Sequence, residues 1–269
     1  MGEIMEYTAN DHTFMVCDYK ESEYLEACIQ SLLAQTVKSK IMISTATPNA
    51  LIEGVAEKYG LKVVINTGEG GNANDWNYAY SQAETPLVTL AHQDDLYDPA
   101  YTETFLQMIH GAKKPLLFFT DYNELRGEVF VHKNRLLRVK RILLFPLRAR
   151  CLQGWYPAKW FSLAFGCAIN CPSVGFIKGN LPEKIFGPGF KSDADWEAWV
   201  KLMKLKGSFV YTRKELVSHR IHPGSQTSAV LGENIRVKED YEMFCRMWPK
   251  WVAKILIKFY AKSEKSNNL

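Results

Sequence analysis

The 269-residue chain is predicted to be an α/β protein with a mostly parallel sheet, helices on both faces and further helices at its C-terminus. Three observations lead there. Short apolar runs of strand length alternate with stretches of helical periodicity through the first hundred residues. The composition, 47% apolar and 23% charged, is that of a globular chain able to bury a core. No apolar run approaches the roughly 20 residues that span a bilayer, and no internal repeat or low-complexity segment interrupts the pattern.

Taken in order, Thr13–Cys17 is an apolar strand, and residues 21–35 place Tyr24, Leu25, Cys28, Ile29, Leu32 and Leu33 at helical spacing. Ile41–Ile43 is a second strand, closed by the turn Thr47-Pro48-Asn49. Leu51–Tyr59 is a helix capped by Gly60. Leu61–Ile65 is a third strand, followed by the Gly68–Gly71 loop, read as a turn, and a helix over Asn74–Ala83. Pro86–Leu90 is a fourth strand running into His92-Gln93-Asp94-Asp95. Further along, Leu116–Tyr122, residues 172–178 and Phe209–Tyr211 read as strands. Lys133–Lys159 has weak helical periodicity, Asp195–Lys206 is a helix, and the chain from Ala229 onward is helical with a break at Pro249. Parallel sheets bind ligands at the carboxyl ends of their strands, and Cys17, Thr45, Asn66 and His92 all fall there.

Charge is unevenly divided. Residues 1–112 carry 5 basic against 16 acidic residues, a balance of −11. Residues 113–160 carry +8 and residues 161–269 carry +7. An acidic half suits a divalent cation; a basic half suits phosphates or an anionic lipid surface. No nucleic-acid recognition motif is present, and a nucleic-acid partner is not expected. Six scattered cysteines without a CxxC pair argue against a disulfide scaffold or a zinc finger. Cys167 and Cys171 are expected to bracket a buried strand. Met1–Asp11 is acidic and lacks the apolar core of a secretory signal, so a cytoplasmic setting is expected.

Five segments in a fixed order carry a resemblance. They are Val16-Cys17-Asp18-Tyr19-Lys20 with Ser31–Thr36, then Asp75-Trp76-Asn77, then Leu90–Asp95 with Pro99, then Ala194–Trp199, and last His219–Ser225. Over residues 12–228 the chain resembles a family-2 glycosyltransferase of the GT-A, nucleotide-diphospho-sugar fold. The resemblance implies a GT-A domain over 1–228, with a donor half over 12–122 and an acceptor half over 123–228. Residues 229–269 would form a helical extension.

It also implies an inverting, metal-dependent enzyme that moves a sugar from a nucleotide-diphosphate donor, a UDP-sugar foremost, to a hydroxyl of a saccharide or lipid-linked acceptor. The setting would be cell-surface polysaccharide or glycolipid synthesis. A sugar diphosphate needs a hard cation with carboxylate ligands, so Asp94, Asp95 and His222 are the candidate ligands of Mn²⁺ or Mg²⁺. Helix capping is the lesser alternative for an Asp pair after a strand, and a surface role is an alternative for His222. Nucleotide contacts fall to Cys17, Tyr19, Thr45, Thr47, Asn66, Trp76, His92 and Gln93. Asp195 is the general base by the same resemblance; a helix N-terminus also favours an Asp without any chemistry, and Asp193 is the nearest competitor.

Departures from the family pattern bear on the donor. No carboxylate closes the second strand (Ser44–Asn49), Trp76 stands for an Arg, His92 for an Asp and Ala194 for a Glu. Base recognition is therefore expected to use Thr45, Thr47 and a stacking Tyr19. The lost carboxylates leave a second reading open, a catalytically silent sugar-nucleotide-binding module. A metal-dependent phosphohydrolase lacks the further acidic residues it would need. Finally, Lys133–Lys159 (with Arg135, Arg138, Lys140, Arg141, Arg148, Arg150 and Lys159) and the repeat Lys250, Lys254, Lys258, Lys262 suit an anionic membrane surface on its inner face. Ordinary solvated faces are the alternative for both.

Overall fold

The computed structural model describes residues 7–222 and 233–265. Pro223, Gly224 and Ser225 of the last motif, and the side chain of Lys262, lie outside the described residues.

Four strands follow the predicted alternation: β1 (His12–Asp18), β2 (Lys40–Thr45), β3 (Lys62–Ile65) and β4 (Leu87–His92), with helices α1 (Leu25–Leu33), α2 (Ala50–Tyr59) and α3 (Asn72–Gln82) between them. They pair in parallel in the order β3-β2-β1-β4. Beyond β4 come β8 (Val174–Ile177), β6 (Pro115–Arg126), β9 (Ser208–Ile221) and β5 (Leu96–Tyr97), while β7 (Val129–Val131) pairs with β6. β8 runs antiparallel to both neighbours, β6 and β9 run parallel to each other, and β5 returns antiparallel to β9. The sheet is mixed but mostly parallel, as the sequence predicts.

Side chains alternate across the pleat, and each face has its own core. Phe14 and Val16 of β1 meet Leu25, Cys28 and Ile29 of α1 together with Tyr101 and Phe105 of α4 (Tyr101–Ile109). Met15 and Met42 on the opposite face belong to a core with Tyr80 of α3 and with Trp196 and Trp199 of α7 (Ala194–Leu202). Gly60 ends α2 in the left-handed region at φ 64°, as a helix C-cap requires. Gly175 of β8 is needed for another reason: a Cβ there would sit 2.4 Å from the Phe105 ring.

Several boundaries differ from the sequence reading. α1 opens at Leu25, not at residue 21, because residues 19–24 form a turn in which Lys20 adopts φ 62°. The helix read as ending at Lys206 stops at Leu202. Cys167 and Cys171 do not bracket a strand; Cys171–Ser173 is a 3₁₀ turn and the strand begins at Val174. β9 is far longer than Phe209–Tyr211, since parallel pairing with β6 extends it to Ile221. Its later residues are polar and lack an apolar strand signal. α4 is absent from the sequence reading although Tyr101, Phe105 and Ile109 recur at helical spacing; β5 and β7, two and three residues long, are too short for periodicity to read.

The basic middle segment forms α5 (Arg135–Leu143) and α6 (Tyr156–Leu163) joined by 3₁₀ turns. α8 (Glu233–Met247) and α9 (Lys250–Lys265) follow the break at Pro249. Met243, Phe244 and Ala253 are buried in the same core as the Trp pair, so both helices pack on the sheet layer. Three of the seven cations read as surface groups are turned inward, Lys140 with its Nζ over the buried Tyr122 ring at 5.2 Å. Lys159 is 1% exposed, donates to the Leu205 and Gly207 carbonyls at 2.8 and 3.1 Å, and is pushed down to about 8 by burial. Arg141 is held by Asp121 and Glu215 at 3.0 and 2.7 Å.

Candidate active site

The site forms where β4 leaves the sheet. His92 ends the strand, Asp95 N–H donates back to the His92 carbonyl at 3.2 Å, and β5 then pairs with Val217 and Ser218 of β9. That pairing lays the end of β9 against the Asp pair. Asp95 is fully buried and its Oδ1 accepts from the His219 ring at 3.0 Å and from Arg220 N–H at 2.9 Å. Asp94 Oδ2 accepts from His222 Nε2 at 3.0 Å, and Arg220 Nε donates to the Asp94 carbonyl at 2.9 Å while its guanidinium covers the Tyr24 ring at 4.3 Å. Burial alone would push the Asp95 carboxyl up; the His219 ring, His92 and Arg220 N–H outweigh it and hold it below its ordinary value. His219 is raised in turn, since its loss to burial is exceeded by the charges of Asp95 and Asp94.

One ligand atom each from His92, Asp94 and Asp95 lies within 4.8 Å of the others, the single group of this kind among the described residues. Asp95 Oδ2 and His92 Nε2 are buried and have no hydrogen-bond partner. Buried polar atoms are normally paired, and the two carboxylates supply the oxygen donors that Mn²⁺ or Mg²⁺ prefers, with the His92 imidazole as a third ligand that Mn²⁺ accepts more readily than Mg²⁺. The residues present therefore fit such an ion. His222 stands behind Asp94 as its partner, whereas His92, read from sequence as a nucleotide contact, falls inside the cluster. Trp76 stacks on the His92 ring at 5.3 Å and meets Phe186 edge-on at 5.0 Å.

The remaining candidates line the neighbouring strand ends. Gln93 clasps the Tyr19 main chain, accepting from its N–H at 2.9 Å and donating to its carbonyl at 3.2 Å, which leaves the Tyr19 ring exposed at the rim. Thr47 Oγ1 accepts the Lys20 N–H at 2.6 Å, and buried Thr45 Oγ1 accepts the Thr47 N–H at 3.0 Å. Both threonines thus hold the loop that positions Tyr19. Asn66 Nδ2 donates to Asp75 Oδ1 at 2.7 Å, tying the end of β3 to α3. Cys17 is half-buried beside them, its thiol pushed up by burial and by the Asp75 and Asp18 charges. Asn77 stitches α3 to the segment before α7, accepting from the Ile185 and Phe186 N–H groups and donating to the Phe186 carbonyl at 2.7 Å.

Asp195 stands in the first turn of α7, with Oδ1 accepting the Trp196 N–H at 2.7 Å and Oδ2 facing the Cys167 thiol at 3.7 Å. Burial raises its carboxyl above the usual range, against the Trp196 N–H, Lys140, the Cys167 thiol and the His92 ring, so it is a stronger base than a solvated aspartate. His92 thus lies within electrostatic range of Asp195. Trp196 and Trp199 are fully buried, and the Trp196 indole donates to the Leu163 carbonyl at 3.0 Å. They fix the helix and do not reach the cleft. A cleft of about 420 Å³, lined by Tyr24, Glu128, Arg220 and His222, opens beside Asp94.

Glu239 was silent in the sequence, since it sits on a helix outside every motif. Its carboxylate accepts the N–H groups of Lys191, Ser192 and Asp193 at 3.0, 2.7 and 3.2 Å and so fixes the approach to α7. Because it is 9% exposed and leaves three donors behind, Glu239→Ala is expected to cost about 2–4 kcal/mol in urea unfolding.

Asp193 is more deeply buried still, and burial together with Asp240 and Asp195 raises its carboxyl far above the usual range. A raised acid holds a proton in the folded state that the unfolded chain releases. Its contribution to stability therefore falls as pH rises from about 4 upward. Asp193→Asn should flatten that part of the stability–pH profile and leave turnover nearly intact, as melts between pH 4 and 9 and an activity assay will show.

Residues 13–169 match the model of Glycosyl transferase family 2. The chain belongs to this family. The match spans β1 through α6 and ends before Asp195, His219 and His222, which enter the site through the tertiary structure. Among solved structures, S. aureus TarS residues 1–349 in complex with UDP-GlcNAc aligns with a TM-score of 0.64 at 14% identity, over 92% of this chain and 70% of that one. The mannosyltransferase PcManGT from Pyrobaculum calidifontis, in complex with GDP-Man and Mn²⁺, gives 0.60 at 12% identity over 93% and 70%. Glucosyl-3-phosphoglycerate synthase from Mycobacterium tuberculosis with Mn²⁺, UDP and glucosyl-3-phosphoglycerate gives 0.55 at 14% over 81% and 76%. These likenesses establish the GT-A fold. A comparison with the curated proteins gives no match. A glycosyltransferase of family 2 is a sugar transferase, and the end of β4 carries a DxD-like His92-Gln93-Asp94-Asp95 segment.

Proposed function

We propose that this family-2 member is an inverting, metal-dependent glycosyltransferase that takes a UDP-sugar as donor and a hydroxyl of a saccharide or lipid-linked acceptor. The observation that carries the reading is the cluster of His92, Asp94 and Asp95, with two buried unpartnered atoms, together with Asp195, a carboxylate of raised basicity on another element within electrostatic range of His92. Asp94, Asp95 and His92 would hold Mn²⁺ or Mg²⁺, with His222 orienting Asp94; a bound cation would neutralise the diphosphate of the donor. Asp195 accepts the proton of the attacking hydroxyl as that oxygen bonds to the anomeric carbon and the nucleoside diphosphate leaves with the electron pair of the broken bond. Attack from the face opposite the leaving group inverts the anomeric centre.

Tyr19, Cys17, Asn66 and Trp76, together with the loop held by Thr45, Thr47 and Gln93, form the donor side. The donor half is assigned to residues 12–122, the acceptor half to 123–228, and the C-terminal helices buttress α7. The intact Asp94, Asp95 and Asp195 favour catalysis over a silent binding module. No helix among the described residues is long and apolar enough to cross a membrane. Attachment to an anionic inner membrane surface through α5 and α9 is part of the proposal, and its support is the exposed Ile142, Phe145, Trp251 and Phe259 beside exposed cations.

A thermal-shift screen of sugar nucleotides with and without Mn²⁺ tests the reading. A UDP-sugar is expected to raise the melting temperature only when Mn²⁺ is present, because a ligand that binds the folded state alone stabilises it. Equal stabilisation in chelator would overturn the metal dependence, and a purine diphosphate sugar acting in its place would overturn the donor.

A further inference from the structure

A groove of about 190 Å³ runs between α5, the 165–167 loop and the C-terminal helices. Its walls are Leu136, Val139, Leu143, Phe165, Leu256 and Phe259, and its charged members are Arg135 and Lys140. Cys167 closes it at the inner end, and the Cys167 thiol faces Asp195 Oδ2 at 3.7 Å. The groove therefore begins beside the carboxylate assigned to the acceptor hydroxyl and leads outward to the surface.

The outer end is unusual for a solvated face. Phe259 is 72% exposed and Val139 46%. On α9, Trp251, Ile255 and Phe259 follow each other at four-residue spacing and are all exposed, while Ala253 and Leu256 pack on the core. Exposed Lys254 and Lys258 run beside that stripe, and exposed Arg138 lies on α5. Apart from its basic members and Tyr260, the groove offers an occupant apolar wall, which suits a hydrocarbon chain better than a sugar. The volume is below that of sites for whole drug-sized ligands, so the groove takes a chain segment rather than an entire molecule.

We propose that this groove binds the hydrocarbon chain of an anionic amphiphilic acceptor, with exposed Arg135 facing its anionic group. Charge complementarity and the shared boundary with Asp195 select this occupant. The inference rests on the reading of Asp195 as the acceptor-side base.

The test uses the full chain and dodecyl phosphate below its micellar concentration, followed by intrinsic tryptophan fluorescence, with inorganic phosphate and dodecyl maltoside as head-only and neutral-chain controls. Saturable binding of dodecyl phosphate, weaker binding of the maltoside and none of phosphate are expected. Phe259→Asp should weaken dodecyl phosphate binding about tenfold or more without moving the melting temperature, because the ring is largely exposed in the free protein. Arg135→Gln should weaken the phosphate amphiphile and spare the neutral one. Unchanged binding in Phe259→Asp, or full competition by inorganic phosphate, would overturn the proposal. So would a dimer in sedimentation that Phe259→Asp dissolves, since the groove would then hold a second copy. UDP binding in Mn²⁺, measured in the same samples, separates the two readings: donor binding without amphiphile binding sinks the groove alone, and the reverse sinks the proposed transfer.

Discussion

Asp195→Asn is expected to lower turnover by about 10²–10⁴-fold, the range that a positioned general base contributes. Asparagine keeps the size and the acceptor for the Trp196 N–H, so α7 should stay in place; what disappears is the basicity that burial has raised. Donor binding should hardly change, because Asp195 belongs to α7 and not to the His92, Asp94 and Asp95 cluster. Single-turnover rates with a bound donor, read beside UDP affinity, check both halves. A variant that loses donor affinity in proportion to turnover would remove Asp195 from the proton-accepting role. Full loss in Asp193→Asn with activity retained in Asp195→Asn would move that role two residues upstream.

Asp94→Asn is expected to abolish most metal-dependent UDP binding while leaving the fold intact. The backbone carbonyl of Asp94 still accepts from Arg220, and His222 still finds an amide oxygen, so the turn survives the change. The lost negative charge is what a divalent ion requires of its ligands. His222→Gln should do less, about 10- to 100-fold in metal affinity, as expected of a group that orients a ligand without being one. Titration of Mn²⁺ into each variant by calorimetry ranks the two, and an effect of His222→Gln equal to that of Asp94→Asn would make His222 a ligand. At saturating Mn²⁺ the His222 variant should regain its UDP affinity, whereas Asp94→Asn should not.

Much of this protein follows from local rules. β1 to β4 and their helices are legible because apolar residues recur at intervals of two or of three to four, and because Asn49 and Gly60 carry their own capping chemistry. The strand-end positions of Cys17, Thr45, Asn66 and His92 follow from that alternation alone. So does the Asp pair at the end of β4, since chain order and strand polarity suffice to place it.

The tertiary structure decided what those residues touch. β5 is two residues long, yet its pairing with Ser218 and Val217 lays His219 and His222 against Asp95 and Asp94, more than 120 positions away. β9 carries no apolar alternation there; it is a strand because β6 offers it a ladder. The roles of Thr45, Thr47 and Gln93 as loop fasteners depend on which donors the turn at Lys20 presents. Lys159 and Arg141 look like surface cations in sequence, but the backbone carbonyls and carboxylates that surround them exist only in the folded chain. Glu239, with three N–H groups of another element in its grasp, has no periodic or motif signature at all. Sequence patterns report spacing along one element, whereas a site is built from contacts between elements, and those are fixed by sheet order and by the packing that closes each face of the sheet.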